Sequence, residues 1–331
     1  MASLLDFHCV SDSRWQALLA LRQIYPTYSP KRRALWLLNA LNQISLRLRP
    51  VGFKLLTDFE LNLLPTLKKS QTRAFLLHKM FQNERVYIFD FEPEDRMISV
   101  TKLARSKRSS QGLEREAKHL SDIAENTALS VPEVLKFSRW DEGALLQVSA
   151  APKDFQIYDK TFPVPQNVLV AIKKLETLSE LPAKELSFWQ RMFGRITEPS
   201  LKALADNVSP EQRFAVGAAH GDLGSENIFT RGPSKNLEDF LVIDWEAYDS
   251  KAPELTDQVG LWLGQRHRSF KSMKKLNRAA LAHAFLEDFK EKSGGIEAAL
   301  LALTYLAYNG IDLAQSLIGD TGALKQTHDP A

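Results

Sequence analysis

The stretch His220-Gly221-Asp222-Leu223-Gly224-Ser225-Glu226-Asn227-Ile228-Phe229 places an aspartate and an asparagine five residues apart, directly before an apolar pair. After a polar interval, the apolar run Phe240-Leu241-Val242-Ile243 ends in Asp244. Short apolar runs on either side of a polar segment predict a strand, a turn and a second strand. In that arrangement Asp222, Asn227 and Asp244 lie at the same end of the two strands.

These residue types suit phosphoryl transfer. That reaction needs one carboxylate to orient the acceptor hydroxyl, and further oxygen ligands to hold Mg²⁺ on the nucleotide phosphates. Asp222 is the candidate for the first task, and Asn227 and Asp244 for the second. Each residue alone has a structural explanation, because an aspartate after a strand is often a turn residue. Their joint spacing favours the interpretation as base and metal ligands.

The pattern His-Gly-Asp-Leu-x-x-x-Asn-Ile, followed by Ile-Asp-Trp-Glu, resembles the signature of the aminoglycoside phosphotransferase and choline kinase-like family. The resemblance covers roughly residues 71–318. It implies an α+β, two-lobed protein kinase-like fold, with a small antiparallel β-sheet in the N-lobe and a mainly helical C-lobe. It also implies that Asp222 is the catalytic base, that Asn227 and Asp244 bind Mg²⁺, and that His220 and Asp257 support the loop.

We therefore expect an N-terminal helical extension at residues 1–70, a nucleotide-binding N-lobe at residues 71–150, and the C-lobe at residues 151–331. Within the extension, residues 11–24 and 31–49 have apolar positions at helical spacing. The second of these helices is flanked by arginines. It either packs against a lobe or lies on an anionic membrane surface, and we favour packing.

The N-lobe pattern predicts three strands, at residues 74–80, 85–91 and 97–103, and then a helix at residues 110–126. Because strand side chains alternate, Lys102 shares a face with two aliphatic residues of the third strand. That face suits the roof of a nucleotide pocket, with the ammonium group on the phosphates.

Two glutamates of the predicted helix, Glu114 and Glu116, are candidate partners of Lys102. Glu116 precedes Leu120 by four residues and so matches the family's Glu-x-x-x-Leu pattern better. Further along, the residues from Val148 to Ala150 follow a predicted strand and are expected to form the hinge that contacts the nucleobase.

The segment from Phe81 to Arg85 contains no glycine, whereas protein kinases cover the phosphates with Gly-x-Gly-x-x-Gly. The choice between ATP and GTP therefore stays open. The absent glycines also support an alternative, in which the chain is a catalytically silent nucleotide-binding scaffold.

The composition agrees with a soluble globular protein: 44% of the 331 residues are hydrophobic, 25% are charged, and the net charge is +3. No nucleic-acid partner is indicated, and the sequence does not indicate an oligomeric state. A single cysteine, Cys9, is typical of a reducing compartment. With no signal peptide or transmembrane segment apparent, we expect a cytoplasmic location, at the inner face of a membrane if the N-terminal helix binds lipid.

The sequence thus predicts an ATP- and Mg²⁺-dependent kinase of small molecules, acting on a hydroxyl of a sugar, glycan or aminoglycoside-like compound. A choline or amino-alcohol kinase is a further alternative. The short passage from Asp244 to Asp257 leaves little room for an activation loop, which favours small-molecule over protein acceptors. The remaining helices are predicted at residues 168–178, 186–208, 276–289 and 296–317.

Overall fold

The computed structural model describes residues 7–10, 56–66, 71–80, 83–92, 96–158, 165–232, 236–271, 278–291 and 294–319. These residues form two compact units, one within Met1–Lys118 and Pro132–Lys153, the other within His119–Val131 and Asp154–Ala331. The helices predicted at residues 11–24 and 31–49 lie outside the described residues. No helix in the described part of the chain is long and apolar enough to span a bilayer.

The first unit is built on a six-stranded antiparallel sheet in the order β1-β2-β3-β4-β6-β5. The three strands and the helix predicted for this region are present, and their bounds differ from the predicted ones by up to three residues. Strand β1 was not predicted from the sequence, because only helices were expected before residue 70. The elements are β1 Phe7–Val10, α1 Asp58–Leu63, β2 Thr72–Met80, β3 Asn83–Phe91, β4 Met97–Ala104, α2 Lys107–Asn126, β5 Val134–Arg139 and β6 Ala144–Ser149.

One face of this sheet carries the core of the first unit. Val86 and Ile88 of β3 and Leu103 of β4 are fully buried there. Because side chains alternate along a strand, Lys102 lies on the opposite face of β4 from Leu103. The sheet therefore carries this cluster on one face and Lys102 on the other.

The second unit is mainly helical and includes two small antiparallel sheets, in the orders β11-β10-β7 and β12-β9-β8. Together with the antiparallel sheet of the first unit, this confirms the predicted α+β class. The elements are β7 Gln156–Ile157, α3 Gln166–Lys173, β8 Ser179–Pro182, α4 Ser187–Phe193, α5 Pro199–Asp206, β9 Arg213–Ala219, β10 Ile228–Thr230, β11 Phe240–Val242, β12 Asp249–Pro253, α6 Thr256–Lys271, α7 Arg278–Phe289, α8 Gly295–Tyr308 and α9 Asp312–Ile318.

The single helices predicted at residues 186–208 and 296–317 are both wrong, since the chain forms two helices over each range, α4 and α5 over the first and α8 and α9 over the second. Gly310 has a φ of 90°, a left-handed conformation that ends helices and that glycine adopts without steric cost. The apolar pattern continues across the break because both helices pack into the same core. Periodicity alone could not detect the turn.

Candidate active site

The predicted catalytic loop, residues 220–227, connects β9 to β10 and is held by Asp257 at the start of α6. The Asp257 carboxylate accepts hydrogen bonds from the backbone N–H of His220 at 2.9 Å and of Gly221 at 3.1 Å. Asp257 is 6% exposed. Burial raises its pKa, while the two backbone hydrogen bonds act in the opposite direction. Two loop N–H groups are thereby satisfied, which fixes the path of the loop.

The buried imidazole of His220 joins this loop to the end of β11. Its Nε2 lies 2.9 Å from the carbonyl oxygen of Ile243, and its Nδ1 lies 3.4 Å from the backbone nitrogen of Asp222. The neutral tautomer protonated at Nε2 satisfies both contacts. The ring also packs on Trp245, with 4.7 Å between centroids. His220 therefore orients backbone on both sides of the site.

Gly221 allows the catalytic loop to approach the segment after β11. Its φ is 84°, and a Cβ added there would lie 2.2 Å from the carbonyl oxygen of Ala247. Both the backbone conformation and the close approach require glycine.

The amide of Asn227 is oriented by the catalytic loop itself. Its Nδ2 donates to the carbonyl of Asp222 at 2.8 Å, and its own backbone carbonyl accepts from the N–H of Ile243 at 2.9 Å. Because Nδ2 is used within the loop, the amide oxygen Oδ1 is the atom that can face a cation. A carboxamide oxygen in this position is a suitable ligand for Mg²⁺.

Asp244 is held in a left-handed backbone conformation, with φ 66° and ψ 55°. Among the described residues, Asp244 is the one non-glycine residue with a positive φ. The left-handed conformation costs such a residue about 1–2 kcal/mol. Trp245, which follows it, is fully buried and donates from Nε1 to the carbonyl of Val242 at 2.9 Å. Strained residues persist where their surroundings over-determine them, and they cluster at functional sites. Packing of Trp245 therefore sets where the Asp244 carboxylate lies.

The charges around Asp222 alter its acidity. Its side chain is exposed to solvent, yet its pKa is raised to about 7 by loss of hydration, then by the charges of Asp244, Glu226, Asp257 and Glu246. The pKa of Asp222 is raised even where water reaches the carboxylate, because four acidic neighbours disfavour another negative charge there. A carboxylate with a pKa near neutrality can accept a proton in the way that a general base requires.

In the first unit, Lys102 and Glu116 form a buried ion pair. The ammonium Nζ lies 2.7 Å and 2.8 Å from the two carboxylate oxygens of Glu116, and the two side chains are 9% and 2% exposed. The other candidate, Glu114, is exposed and pairs with Arg139. The structure thus brings Lys102 together with Glu116, while the role of the pair in nucleotide binding stays a prediction.

The expected hinge residues lie at the end of β6. Val148 is paired with Val100 of β4 and is buried, and the N–H of Ala150 donates to the carbonyl of Ile98 at 3.2 Å. That N–H is used between the strand ends, and the nucleobase contact at Val148 and Ala150 stays a prediction.

The glycine-free segment begins after Met80, the last residue of β2, and extends into β3. Met80 of β2 pairs with Asn83 of β3, so two residues join the strands, and both lie outside the described residues.

The acidic surroundings of Asp222 were not predicted from the sequence. Glu226 directly precedes Asn227, and Glu246 follows Asp244 by two residues, so a signal was present beside the motif. Spacing did not indicate that both carboxylates act on Asp222, because this depends on how the two loops pack.

No protein-family model and no curated protein matches the chain. Solved structures similar to it include phosphotransferases. The GDP complex of aminoglycoside 2'-phosphotransferase-IIIa shares 13% identity and a TM-score of 0.44, covering 74% of this chain and 91% of that one. Macrolide 2'-phosphotransferase from Brachybacterium faecium shares 13% identity and a TM-score of 0.43, covering 76% and 93%. An aminoglycoside-3'-phosphotransferase of type VIII shares 17% identity and a TM-score of 0.38, covering 66% and 88%. With these TM-scores, the chemical assignment rests on the residues of this chain.

Proposed function

We propose that this chain is a phosphotransferase that moves the γ-phosphoryl group of a nucleoside triphosphate to a hydroxyl of a small molecule. One observation carries the proposal. A solvent-accessible carboxylate, Asp222, is held on a loop braced by Asp257 and His220, together with Asn227 and the strained Asp244. This is the donor set that phosphoryl transfer requires.

Asp222 is the proposed base. Its exposure allows an acceptor hydroxyl to reach it, and its pKa of about 7 allows it to take up the hydroxyl proton near neutral pH. The brace at Asp257 limits movement of the loop, so the acceptor oxygen is positioned before reaction. Positioning of this kind supplies a large part of the acceleration in phosphoryl transfer.

Asn227 and Asp244 are the proposed Mg²⁺ ligands. Their chemistry fits the ion: Asp244 offers a carboxylate, the amide orientation of Asn227 leaves Oδ1 to face a cation, and the acidic neighbours of Asp222 concentrate negative charge. When bound, Mg²⁺ would neutralise phosphate charge as it develops in the reaction. Carboxylate and amide oxygens suit Mg²⁺ better than a soft metal ion.

Lys102 is the proposed contact to the nucleotide phosphates, and Glu116 holds its ammonium group by two short contacts. We include Val148 and Ala150 as candidates for nucleobase binding and leave open whether the nucleotide is ATP or GTP. A buried ammonium group that is already oriented loses little side-chain entropy when it binds an anion.

The acceptor is proposed to be a small molecule, such as a sugar, glycan or aminoglycoside-like compound. Strand β12 ends at Pro253 and helix α6 begins at Thr256, so the chain passes from the Asp244 turn into the helix without an activation segment. Protein kinases, by contrast, place a phosphorylation-controlled loop after the corresponding aspartate.

A silent nucleotide-binding scaffold is the second candidate function. The absence of glycine from Phe81 to Arg85 favours it, because protein kinases cover the nucleotide phosphates with a glycine-rich loop. The two candidates differ in turnover, whereas both predict nucleotide binding.

The test is release of nucleoside diphosphate from ATP or GTP with Mg²⁺, measured across sugars, aminoglycosides and amino alcohols. We expect turnover with one acceptor class and its loss in Asp222→Asn, whereas Glu238→Gln, an exposed acidic residue of the adjacent turn, should retain it. Nucleotide binding without turnover on any acceptor would favour the scaffold. Full activity in Asp222→Asn would overturn the role of the base.

A further inference from the structure

The segment at residues 56–66, which precedes the motif-bearing part of the chain, is packed onto the first unit. Leu56 and Leu64 are buried in the cluster that contains Phe75, Ile88 and Leu103. These residues lie on the sheet face opposite Lys102. The segment is therefore part of the fold on which the lysine depends.

Polar contacts attach the same segment to two strands. Arg73 of β2 donates from Nη2 to the carbonyl of Pro65 at 2.9 Å, and Lys136 of β5 donates from Nζ to the carbonyl of Leu63 at 2.6 Å. Arg73 is itself oriented by Asp90 of β3, at 2.5 Å and 3.0 Å. The backbone after α1 is thus fixed by cationic side chains of the sheet.

Glu60 of α1 is the charged centre of this segment. It is 5% exposed and accepts the backbone N–H of Thr57 at 2.7 Å, and Nε and Nη2 of Arg105 at 2.8 Å and 2.9 Å. Burial raises the pKa of Glu60, but the hydrogen bonds of Arg105 and Thr57 outweigh this and leave it lowered. The carboxylate is therefore held in its charged form by a two-pronged contact with Arg105.

Arg105 lies where β4 ends and α2 is about to begin. Only Arg105 and Ser106 separate Ala104, the last residue of β4, from the helix. The Ser106 carbonyl accepts both the N–H and the hydroxyl of Ser110, at 2.9 Å and 2.8 Å, so the helix start is fixed directly after Arg105. The path of this junction therefore contributes to the direction of α2.

The helix acts as a lever on Glu116. Glu116 lies ten residues after Ser106, which at 1.5 Å per residue is about 15 Å along the helix axis. A tilt of about 5° at the junction moves a point at that distance by about 1.3 Å. A shift of this size directed away from Lys102 would lengthen the contacts of 2.7 Å and 2.8 Å beyond hydrogen-bonding distance.

We propose that Glu60 is a positioning residue for the nucleotide site: by holding Arg105 at the start of α2, it keeps Glu116 on Lys102. The inference rests on the proposed function for its nucleotide readout. It gives residues 56–66 a task in phosphate binding.

The first experiment measures nucleotide dissociation constants by calorimetry in full-length Glu60→Gln. We expect affinity to fall by about tenfold, because the substitution removes the charge from a buried hydrogen-bonded pair, with kcat changing less than KM. The matched control is Glu114→Gln, which breaks an exposed ion pair on the same helix and should change affinity by less than about twofold. Arg105→Lys keeps the charge but loses the two-pronged contact, and should be intermediate.

A double-mutant cycle separates positioning from general destabilisation. If Glu60 acts through Glu116, the double variant Glu60→Gln/Glu116→Gln binds nucleotide no more weakly than Glu116→Gln alone. Additive losses would refute the inference, as would a lowered Tm with unchanged nucleotide affinity in Glu60→Gln.

Amide hydrogen exchange gives a readout without nucleotide. Glu60→Gln should speed exchange in the first turns of α2, whereas Glu114→Gln should not. Unchanged exchange would overturn the inference whether or not nucleotide binds. If the wild-type protein binds no nucleotide while exchange in α2 responds to Glu60→Gln, the proposed function fails and the coupling of Glu60 to α2 stands.

Discussion

Replacing Asp222 by asparagine should abolish turnover and at the same time stabilise the fold at alkaline pH. The pKa of Asp222 is raised from 3.8 to about 7 by loss of hydration and by four neighbouring carboxylates. At about 1.4 kcal/mol per pKa unit, a shift of this size has a ceiling of about 4 kcal/mol. Because the side chain is exposed to solvent, screening reduces our expectation to about 1 kcal/mol.

The direction follows from proton linkage. The folded state holds the Asp222 proton up to a higher pH than the unfolded state does, so the free energy of unfolding falls as pH rises between about 4 and 7. Asparagine does not titrate. The variant should therefore exceed the wild type in stability above pH 7, and this advantage should disappear as the pH approaches 4.

Thermal unfolding followed by circular dichroism, in EDTA and over a pH series, measures this difference. For a unit of this size, about 1 kcal/mol corresponds to a rise in Tm of about 2–4 °C at pH 8. Glu238→Gln, which removes an exposed charge from the adjacent turn, controls for the change in net charge. An equal Tm difference at every pH, or a lower Tm for the variant at pH 8, would refute this account of the Asp222 environment.

Three other substitutions test the surrounding supports. Asp257→Ala removes the acceptor of two buried loop N–H groups. Denaturant unfolding should therefore show a free energy of unfolding that is lower by about 2–5 kcal/mol. A decrease of less than about 0.5 kcal/mol would contradict the role of Asp257 in holding the loop. Gly221→Ala would place a Cβ 2.2 Å from the carbonyl oxygen of Ala247, so we expect a lower Tm and loss of turnover. The control is Gly264→Ala, where a Cβ meets nothing within 4 Å; this variant should keep the Tm and the turnover of the wild type. Glu116→Gln removes the charge that Glu116 places beside the buried ammonium group of Lys102. We expect nucleotide affinity to fall by at least about tenfold and the free energy of unfolding to fall by about 3 kcal/mol. Unchanged nucleotide affinity, measured by calorimetry, would argue against a role of this pair in phosphate binding.

The pH dependence of activity should follow the same carboxylate. A base is active when deprotonated, so kcat/KM should rise with pH through the pKa of Asp222, which is about 7 without a bound cation and is lowered when Mg²⁺ lies beside the carboxylate. A flat profile from pH 5 to 8, measured at saturating Mg²⁺ and limiting acceptor, would indicate that another group takes the hydroxyl proton or that the bound cation lowers the pKa below this range.

Much of the architecture was predictable from sequence because its signals are local. Alternating and helical apolar periods gave β2, β3, β4 and α2 with small errors at their ends. The motif placed Asp222, Asn227 and Asp244 beside the ends of a strand pair, and β10 and β11 do pair antiparallel there. The pairing of Lys102 with Glu116 followed from helical spacing and the family pattern. The turn at Gly310 was missed because apolar periodicity reports burial, which continues through the break.

The sequence by itself determined the candidate residues and the strands and helices that carry them, since both depend on spacing along the chain. Only the tertiary structure decided their chemical state. Asp257 reaches the catalytic loop across 37 residues, and Glu60 reaches Arg105 across 45. The raised pKa of Asp222 likewise comes from loss of hydration and from carboxylates that include Asp244, Asp257 and Glu246, which lie beyond its own loop. Hydration and charge act through space, and packing alone decides which charges become neighbours.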